Sequence, residues 1–384
     1  MLSFLFLAFL FIFIGNYLAY FLYIRKNAQK PWRLKINKIF EPKISILIPV
    51  HNESKNIQPK LENIKDVLYP KEKIEVIIVD DASEDDTLVK VKDFMQKNRE
   101  LQIKIVSQNP RAGKAVALNK ALKETTSDIV IVTDADTLWP PDILRKTLCY
   151  LSDSKIGAIT GRGINRNPKE SWVTKSEDIY LQFTNILRLG ESKIHSTIRF
   201  EGGFCAYKKG AFESFDCETG ADDSGTALKI VQNSYRAILV PEAVFYTSFP
   251  SSLIEKFKIK VRRANQLMGL WAKCLKLLLK RRLLLPKNIA IPEIILFLFN
   301  PIIFLALIAT GIAIILSNPF SLISLSISLL ILCLLLFARQ IFIEVIVDNF
   351  ILLCALITFI LKRRYVSWER PSNKILIGET SELS

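Results

Sequence analysis

Charged residues are absent from two long stretches of this 384-residue chain, and this segregation constrains its fold more than any other feature. Residues 1–24 carry no charged side chain, and neither do the 45 residues from Ile294 to Ala338. A helix needs about 20 apolar residues to cross a bilayer. The sequence therefore predicts one membrane span at residues 1–24 and two spans within residues 289–338.

The N-terminal apolar run has a second interpretation, which is a cleaved signal peptide. The run is long for that role, has no basic region in front of it, and ends without a clear small-residue cleavage site. We therefore predict a signal anchor that stays in the membrane.

The final apolar segment, residues 339–362, is harder to assign. Glu344 and Asp348 interrupt it and leave 13 uncharged residues from Asn349 to Leu361, which is short for a span. A full crossing would place Lys362 and the basic residues after it outside, although basic residues next to spans favour the cytosolic side. We predict an interfacial or re-entrant segment here, with a further span as the alternative, and a polar tail at residues 363–384.

The formal net charge of +15 is concentrated next to the apolar runs. Basic clusters at residues 25–38 and 256–287 border them and can contact anionic lipid headgroups. No nucleic-acid recognition motif accompanies these clusters, so we expect membrane lipids and no nucleic acid as partners. The pattern predicts a multi-pass protein of the cell membrane whose central domain is cytosolic.

Residues 253–288 combine basic side chains with apolar side chains at helical spacing. This pattern predicts amphipathic helices in the membrane interface, with Trp271 at the depth of the lipid headgroups. A helix whose apolar face packs on the protein core would show the same spacing, and both can hold at once.

The region from residue 40 to 252 has the composition of a globular domain. Short apolar runs at residues 43–50, 74–79, 101–106 and 129–133 predict buried strands, and helical stretches separate them. Such alternation predicts an α/β fold with a mostly parallel sheet and helices on both faces.

Acidic pairs follow two of these predicted strands, Asp80-Asp81 after the second and Asp134 with Asp136 after the fourth. Ligands of such sheets bind beyond the carboxyl ends of the strands, so both pairs face one crevice. Two carboxylates at D-x-D spacing can hold Mg²⁺ or Mn²⁺, which prefer oxygen ligands and commonly bridge a protein to a diphosphate. A solvated acidic loop is the alternative, but the position behind a buried strand favours a metal site.

Several enzyme classes are disfavoured because their motifs are missing. The chain has no G-x-G-x-x-G after the first predicted strand, no G-x-x-x-x-G-K-[ST] and no G-x-S-x-G. It contains two histidines, which leaves little material for a serine hydrolase triad. Dinucleotide-dependent dehydrogenases, P-loop enzymes and serine hydrolases are therefore poor candidates.

Seven segments carry a resemblance to a known family, although each alone is weak. In chain order they read ISILIPVHNE, VIIVDDASEDDT, RAGKAVALN, VTDADT, EGGFCAYKK, ADDSGTAL and PEAV. Together they resemble the inverting family 2 glycosyltransferases, in the membrane-bound branch that includes hyaluronan, cellulose and poly-N-acetylglucosamine synthases. The resemblance covers residues 43–270. It implies a Rossmann-like GT-A catalytic domain at residues 40–252 and a nucleotide-sugar donor, with UDP-sugars favoured.

The resemblance also implies roles for single residues. Asp223 matches the general base, which would take the proton of an acceptor hydroxyl during attack. Asp134 and Asp136 match the metal-binding pair. Helix capping remains an alternative for Asp222 and Asp223. The residues implied in binding the nucleotide or substrate are Pro49, Asn52, Glu53, Asp80, Asp81, Lys114, Asp134, Gly203, Asp222 and Arg262.

The sequence departs from the family pattern at three places. Ala82 stands where the family has glycine, and Ala221 stands where it has the threonine of T-E-D. Of the Q-x-x-R-W motif of processive members only Arg262 remains, within residues 259–263. These changes favour transfer of a single sugar to a lipid-linked or membrane-proximal glycan. The alternatives are a processive polysaccharide synthase, an inactive transferase-like scaffold and, more remotely, a nucleotidyltransferase.

Overall fold

The computed structural model describes residues 1–362, apart from the side chain of Ile341, and it divides into two units. The first, which we call the α/β unit, runs from Lys26 to Lys256. The second, the helical unit, contains Met1–Arg25 and residues 257–362.

Within the described residues, the α/β unit contains a seven-stranded sheet. The spatial order is β3-β2-β1-β4-β6-β5-β7; β6 is antiparallel to both of its neighbours, whereas the other pairs are parallel. The strands are β1 (Ile44–Val50), β2 (Ile74–Asp81), β3 (Gln102–Gln108), β4 (Ile129–Val132), β5 (Ile156–Asn165), β6 (Cys205–Lys208) and β7 (Arg236–Thr247).

Strands β1, β2 and β4 form the centre of the core. Every residue of these three strands is buried, because helices cover both faces of the sheet. A strand buried on both faces has an almost continuous apolar sequence, which is why these strands could be predicted. The prediction of a mostly parallel sheet is confirmed.

The helices of the α/β unit follow the strands in the expected alternation. They are α2 (Ile57–Lys65), α3 (Thr87–Lys97), α4 (Lys114–Glu124), α5 (Ile143–Thr147), α6 (Trp172–Ile194) and α7 (Asp222–Gln232). Trp32, Leu34 and Ile36 also pack against the core. The α/β unit therefore begins before residue 40, where we expected the domain to start.

The loops that carry most of the predicted site residues lie at one edge of the sheet. Strands β1, β2 and β4 end at this edge, and the antiparallel strand β6 begins there. The loops that start at residues 51, 82 and 133 therefore meet residues 200–204 at the same edge. This is the edge where ligands of open α/β sheets bind.

The helical unit contains α1 (Leu2–Ala28, continuing three residues into the α/β unit) and most of α8 (Leu253–Leu279). These are followed by α9 (Lys287–Ile294), α10 (Asn300–Ser317), α11 (Leu322–Phe337) and α12 (Arg339–Ile360), with a π-helical turn at Ile295–Phe299. Within the described residues, Leu2–Ala28, Lys287–Ser317 and Phe342–Ile360 are long and apolar enough to cross a membrane, whereas Leu322–Phe337 is shorter. The number of these helices that cross the membrane stays a prediction. The polar tail predicted at residues 363–384 lies outside the described residues and also stays a prediction.

Helix α8 packs against α12 inside the helical unit. Val261 and Met268 share an apolar cluster with Ile351, and the Lys260 ammonium lies 3.2 Å from the Asp348 carboxylate. The charge that interrupts the last apolar run is therefore paired within the protein, as a charge in apolar surroundings requires.

Trp271 does not face lipid headgroups as the sequence suggested. Its side chain is buried in the helical unit, and its ring stacks on Phe297 with the ring centroids 6.1 Å apart. The alternative, in which the apolar face of α8 packs on neighbouring helices, holds for this residue, and its depth in the membrane stays a prediction.

Candidate active site

Three carboxylates from two distant segments of the chain meet at Lys114, the first residue of α4. The Lys114 Nζ atom lies 3.1 Å from Asp134 Oδ1, 3.3 Å from Asp222 Oδ2 and 3.7 Å from Asp223 Oδ2. Asp134 follows β4, and the two other aspartates form the first turn of α7. The structure thus brings together four of the residues that the sequence suggested for the site.

Lys114 acts as the counter-ion of this cluster. Burial alone would lower the pKa of Lys114, but the charges of Asp134, Asp222 and Asp223 together raise the pKa well above its ordinary value. The ammonium therefore stays charged and reduces the repulsion between carboxylates that share a poorly solvated cleft. Negative charge remains in excess, which favours a divalent cation.

Asp223 has the electrostatic character of a proton acceptor. Burial and then the neighbouring Asp222 raise the pKa of Asp223 to about 8, although Lys114 opposes the shift. Its Oδ1 atom is buried and has no hydrogen-bond partner within residues 1–362. A carboxyl with a near-neutral pKa and an open acceptor position suits general base catalysis.

The D-x-D turn is packed against the glycine pair Gly202-Gly203. The Asp134 amide donates to the Gly202 carbonyl at 2.9 Å. A Cβ atom on Gly202 would lie 2.6 Å from Asp134 Oδ2, and one on Gly203 would lie 2.2 Å from the Phe245 ring. A side chain at Gly202 would push the loop away from Asp134, and one at Gly203 would push it away from Phe245, so the glycines allow both close approaches.

Asp134 and Asp136 provide two partly exposed carboxylates in the turn after β4. No group of three or more His, Cys, Asp or Glu side chains in the part of the chain that the structure describes could hold a metal ion alone. Mg²⁺ is usually held by one or two carboxylates, water and substrate phosphates, so the D-x-D pair fits a cation that a diphosphate completes. The role of Asp136 as a ligand stays a prediction.

Asn52 ties together the loops after β1 and β2. Its backbone has φ of 56°, which asparagine tolerates better than most residues. Its Oδ1 accepts hydrogen bonds from the Glu84 amide at 2.8 Å and the Asp85 amide at 3.3 Å. Glu53 is buried next to it and accepts a hydrogen bond from Asn56 Nδ2 at 2.8 Å. Both residues are at the active edge, as the nucleotide-binding prediction requires.

Asp81 organises the loop that leads to Lys114. Its carboxylate accepts hydrogen bonds from Gln108 Nε2 at 2.5 Å, the Ala112 amide at 2.9 Å and the Gly113 amide at 3.1 Å. Asp80, also buried, accepts one from the Ser83 amide at 3.2 Å. Contact of Asp80 or Asp81 with a nucleotide stays a prediction.

Ala82 explains one departure from the family pattern. Its φ of 58° lies in the left-handed region, where an L-residue with a Cβ costs about 1–2 kcal/mol and glycine costs little. The left-handed backbone at this position explains why the family pattern has glycine there. Alanine at the same position in this chain carries some backbone strain.

Two of the suggested site residues belong to a strand or helix and not to the loops at the active edge, and their roles stay predictions. Pro49 is a buried residue of β1, within the strand predicted at residues 43–50. It comes after the last β1–β4 pair, Leu47 with Val132, so its missing N–H breaks no bond to β4. Arg262 lies on α8 in the helical unit and is not part of the α/β unit.

Three buried or half-buried charges near the glycine pair were missed. Arg188 of α6 is 1% exposed and its Nη1 lies 2.7 Å from the Oε1 of Glu201, directly before Gly202. Lys60 of α2 is fully buried and contacts the D-x-D turn. Lys60 lies on the same buried face of its helix as Ile57, Leu61 and Ile64. A charged residue at a position where the helical spacing predicts an apolar one could have identified Lys60 from the sequence.

Comparison with known proteins identifies related sequences. Residues 45–215 match the family model described as Glycosyl transferase family 2. A probable glycosyltransferase, YdaM of Bacillus subtilis (strain 168), is 27% identical over 256 residues, which is 64% of this chain and 60% of that protein. The poly-beta-1,6-N-acetyl-D-glucosamine synthase of Staphylococcus epidermidis is 29% identical over 58% of this chain and 54% of its own length. The chain thus spans less than two thirds of each relative.

One solved structure resembles the chain over nearly its whole length. It is the mannosyltransferase PcManGT from Pyrobaculum calidifontis in complex with GDP-Man and Mn²⁺. The likeness has a TM-score of 0.81 at 29% identity and covers 95% of this chain and 100% of that one. The predicted architecture, a GT-A domain with apolar helices at both ends, is confirmed.

Proposed function

Since the chain carries a glycosyl transferase family 2 domain, as its sequence motifs predicted, we propose that it is an inverting, membrane-bound glycosyltransferase. It would move a sugar from a nucleotide-sugar donor to a lipid-linked or membrane-proximal glycan. The observation that carries the proposal is the meeting of Asp134, Asp222 and Asp223 at Lys114. This cluster combines a D-x-D carboxylate with a buried carboxyl that can accept a proton.

Different side chains accept the proton, orient the base and hold the metal. Asp223 takes the proton of the acceptor hydroxyl as that oxygen attacks the sugar on the face opposite the diphosphate, which inverts the anomeric centre. Lys114 and the first turn of α7 orient Asp223. Asp134 and Asp136 would hold Mn²⁺ or Mg²⁺, which when bound neutralises the departing nucleoside diphosphate.

Two kinds of similarity bear on the identity of the donor. The sequence motifs favour a UDP-sugar, and one relative is named a poly-beta-1,6-N-acetyl-D-glucosamine synthase. The whole-length structural likeness is to a mannosyltransferase that holds GDP-Man and Mn²⁺. Because that likeness includes the helices as well as the GT-A domain, we place GDP-mannose first and UDP-N-acetylglucosamine second as donors to test.

Processive synthesis is the second candidate function, and the similarity to a polysaccharide synthase favours it. The loss of the Q-x-x-R-W pattern around Arg262 favours a single transfer. Radiolabelled product resolves the two, because a processive enzyme yields a long ladder and a single transfer yields one added sugar per acceptor. We further propose that the α/β unit lies on the cytosolic side, where nucleotide sugars are made and where basic residues flank the spans.

The test uses purified full-length protein in detergent and a panel of nucleotide sugars with Mn²⁺. We expect release of nucleoside diphosphate from one donor, and loss of that release with a chelator. Release of pyrophosphate would identify a nucleotidyltransferase. No release from any donor, in the presence of membrane lipid extract as acceptor source, would support an inactive scaffold and overturn the proposal.

A further inference from the structure

Lys60 is a buried cation beneath the D-x-D turn. Its side chain has 0% exposure, and its Nζ donates hydrogen bonds to Thr133 Oγ1 at 2.8 Å and to the Thr137 carbonyl at 2.9 Å. The ammonium also lies 4.3 Å from the centroid of the Trp139 ring. Both of these hydrogen-bond acceptors are uncharged.

Such a residue is costly for the fold. A buried ammonium whose hydrogen-bond acceptors are uncharged loses much of its hydration, and its neighbours return only part of that free energy. Burial lowers the pKa of Lys60 to about 7, although Asp134 and Asp136 oppose the shift. An apolar residue of similar length would fill this core position as Ile57 and Leu61 do on the same face. A charge kept against stability is typical of a functional site.

The partners of Lys60 belong to the machinery of the site. Thr133 and Thr137 bracket Asp134 and Asp136, so Lys60 closes the D-x-D turn from below. Thr133 Oγ1 also donates to the Gly203 carbonyl at 2.9 Å, and Trp139 Nε1 donates to the same carbonyl at 2.8 Å. Helix α2, the turn and the glycine pair are therefore joined through one ammonium and two side chains around it.

We propose that Lys60 is a positioning residue that keeps the Thr133–Thr137 turn closed, so that Asp134 and Asp136 are preset for a metal-bound nucleoside diphosphate. The inference rests on the proposed function. A turn that must be ordered on binding spends part of the binding free energy on that ordering, whereas a preset turn does not. The buried positive charge also favours a metal–diphosphate complex, whose net charge is negative.

The test compares affinity with stability in full-length protein. Lys60→Met keeps the length of the side chain but removes the charge and both hydrogen bonds. We expect the dissociation constant of GDP or UDP, measured by calorimetry with saturating Mn²⁺, to rise about 10-fold, which corresponds to ~1.4 kcal/mol. We expect the melting temperature without ligand to be unchanged or higher, because the buried ammonium is gone.

Asn63→Ala is the matched control. Asn63 lies on the same helix and bonds both the amide and the carbonyl of Trp139 at 2.9 Å, outside the bracketed turn. This variant should lower the melting temperature and leave the affinity near that of the wild type. If Lys60→Met does not fold, Lys60→Gln is measured in its place against the same expectations.

The outcomes separate the two claims. The positioning role is overturned if Lys60→Met has a lower melting temperature and unchanged affinity, or if it binds the nucleotide more tightly. It is also overturned if Lys60→Met and Asn63→Ala lose equal amounts of affinity. The wild type decides the proposed function: if it binds neither Mn²⁺–GDP nor Mn²⁺–UDP, that function fails, and the role of Lys60 fails with it. Wild-type binding combined with a normal variant refutes the role of Lys60 alone.

Discussion

Replacing Asp223 with asparagine tests what this carboxyl contributes to the catalytic rate and to the stability of the folded protein. The amide has nearly the same shape but does not accept a proton. A general base typically contributes about 10²–10⁴ in rate, so kcat should fall by that factor. The donor affinity should change little, because the metal and diphosphate contact the D-x-D pair in this account and not Asp223.

The same substitution should change how stability depends on pH. The pKa of Asp223 is about 8 in the folded protein against 3.8 for the ordinary group. Between these values the folded protein keeps a proton that the unfolded chain has released, so stability falls as pH rises, by up to ~1.4 kcal/mol per pH unit. From pH 5 to pH 8 the upper limit is about 4 kcal/mol. Asparagine does not titrate, so the variant loses this dependence.

Two measurements check this prediction. Thermal unfolding without ligand, from pH 5 to pH 8.5, should show the advantage of Asp223→Asn over the wild type growing with pH. Nucleoside diphosphate release should drop in the same protein. Asp142→Asn serves as the control, since that carboxylate is 40% exposed and pairs with Lys146 at the surface. Parallel melting curves, or an undiminished kcat, would refute the reasoning about Asp223.

Three further changes test the surroundings of the base. Asp222→Asn removes a like charge and should lower the pKa of Asp223, which moves the acid limb of the kcat/KM pH profile to lower pH. Lys114→Met removes the opposing cation and should move that limb to higher pH, with weaker donor binding. Gly203→Ala places a Cβ 2.2 Å from the Phe245 ring and should lower the melting temperature by several degrees, with loss of activity.

Each of these changes has a contrary outcome. An acid limb that stays in place in both charge variants would show that Asp222 and Lys114 do not set the titration of the base. For the glycine, Gly210→Ala is the control, because an added Cβ there meets nothing within 4 Å. Equal melting temperatures for the two alanine variants would contradict the packing described at Gly203.

The parts of the fold that the sequence predicted are those with local signals. Strands β1, β2 and β4 are apolar because both of their faces are buried, and their helices repeat at regular spacing. Strands β5 and β6 gave no comparable signal. The first contains Thr160, Gly161, Arg162 and Gly163 in succession, and the second has only four residues, Cys205–Lys208. Such strands are fixed by their neighbours in the sheet.

The site was predictable in outline because carboxyl ends of parallel strands share an edge. The individual contacts were not. Lys114 and Asp222 are far apart in the sequence, and only the packing of α4 near α7 brings their charges to 3.3 Å. The packing of Trp271 was not predictable, because an amphipathic helix can present its apolar face to protein as well as to lipid.

The proposed function requires that Asp134, Asp136 and Asp223 line one metal–diphosphate site. An anomalous difference map of crystals grown with Mn²⁺ and the nucleoside diphosphate of the preferred donor tests it directly. We expect a manganese peak about 2.0–2.6 Å from a D-x-D carboxylate oxygen and from a diphosphate oxygen, with Asp223 facing the same cleft. A peak bound away from Asp134 and Asp136, with the nucleotide in another cleft, would contradict it.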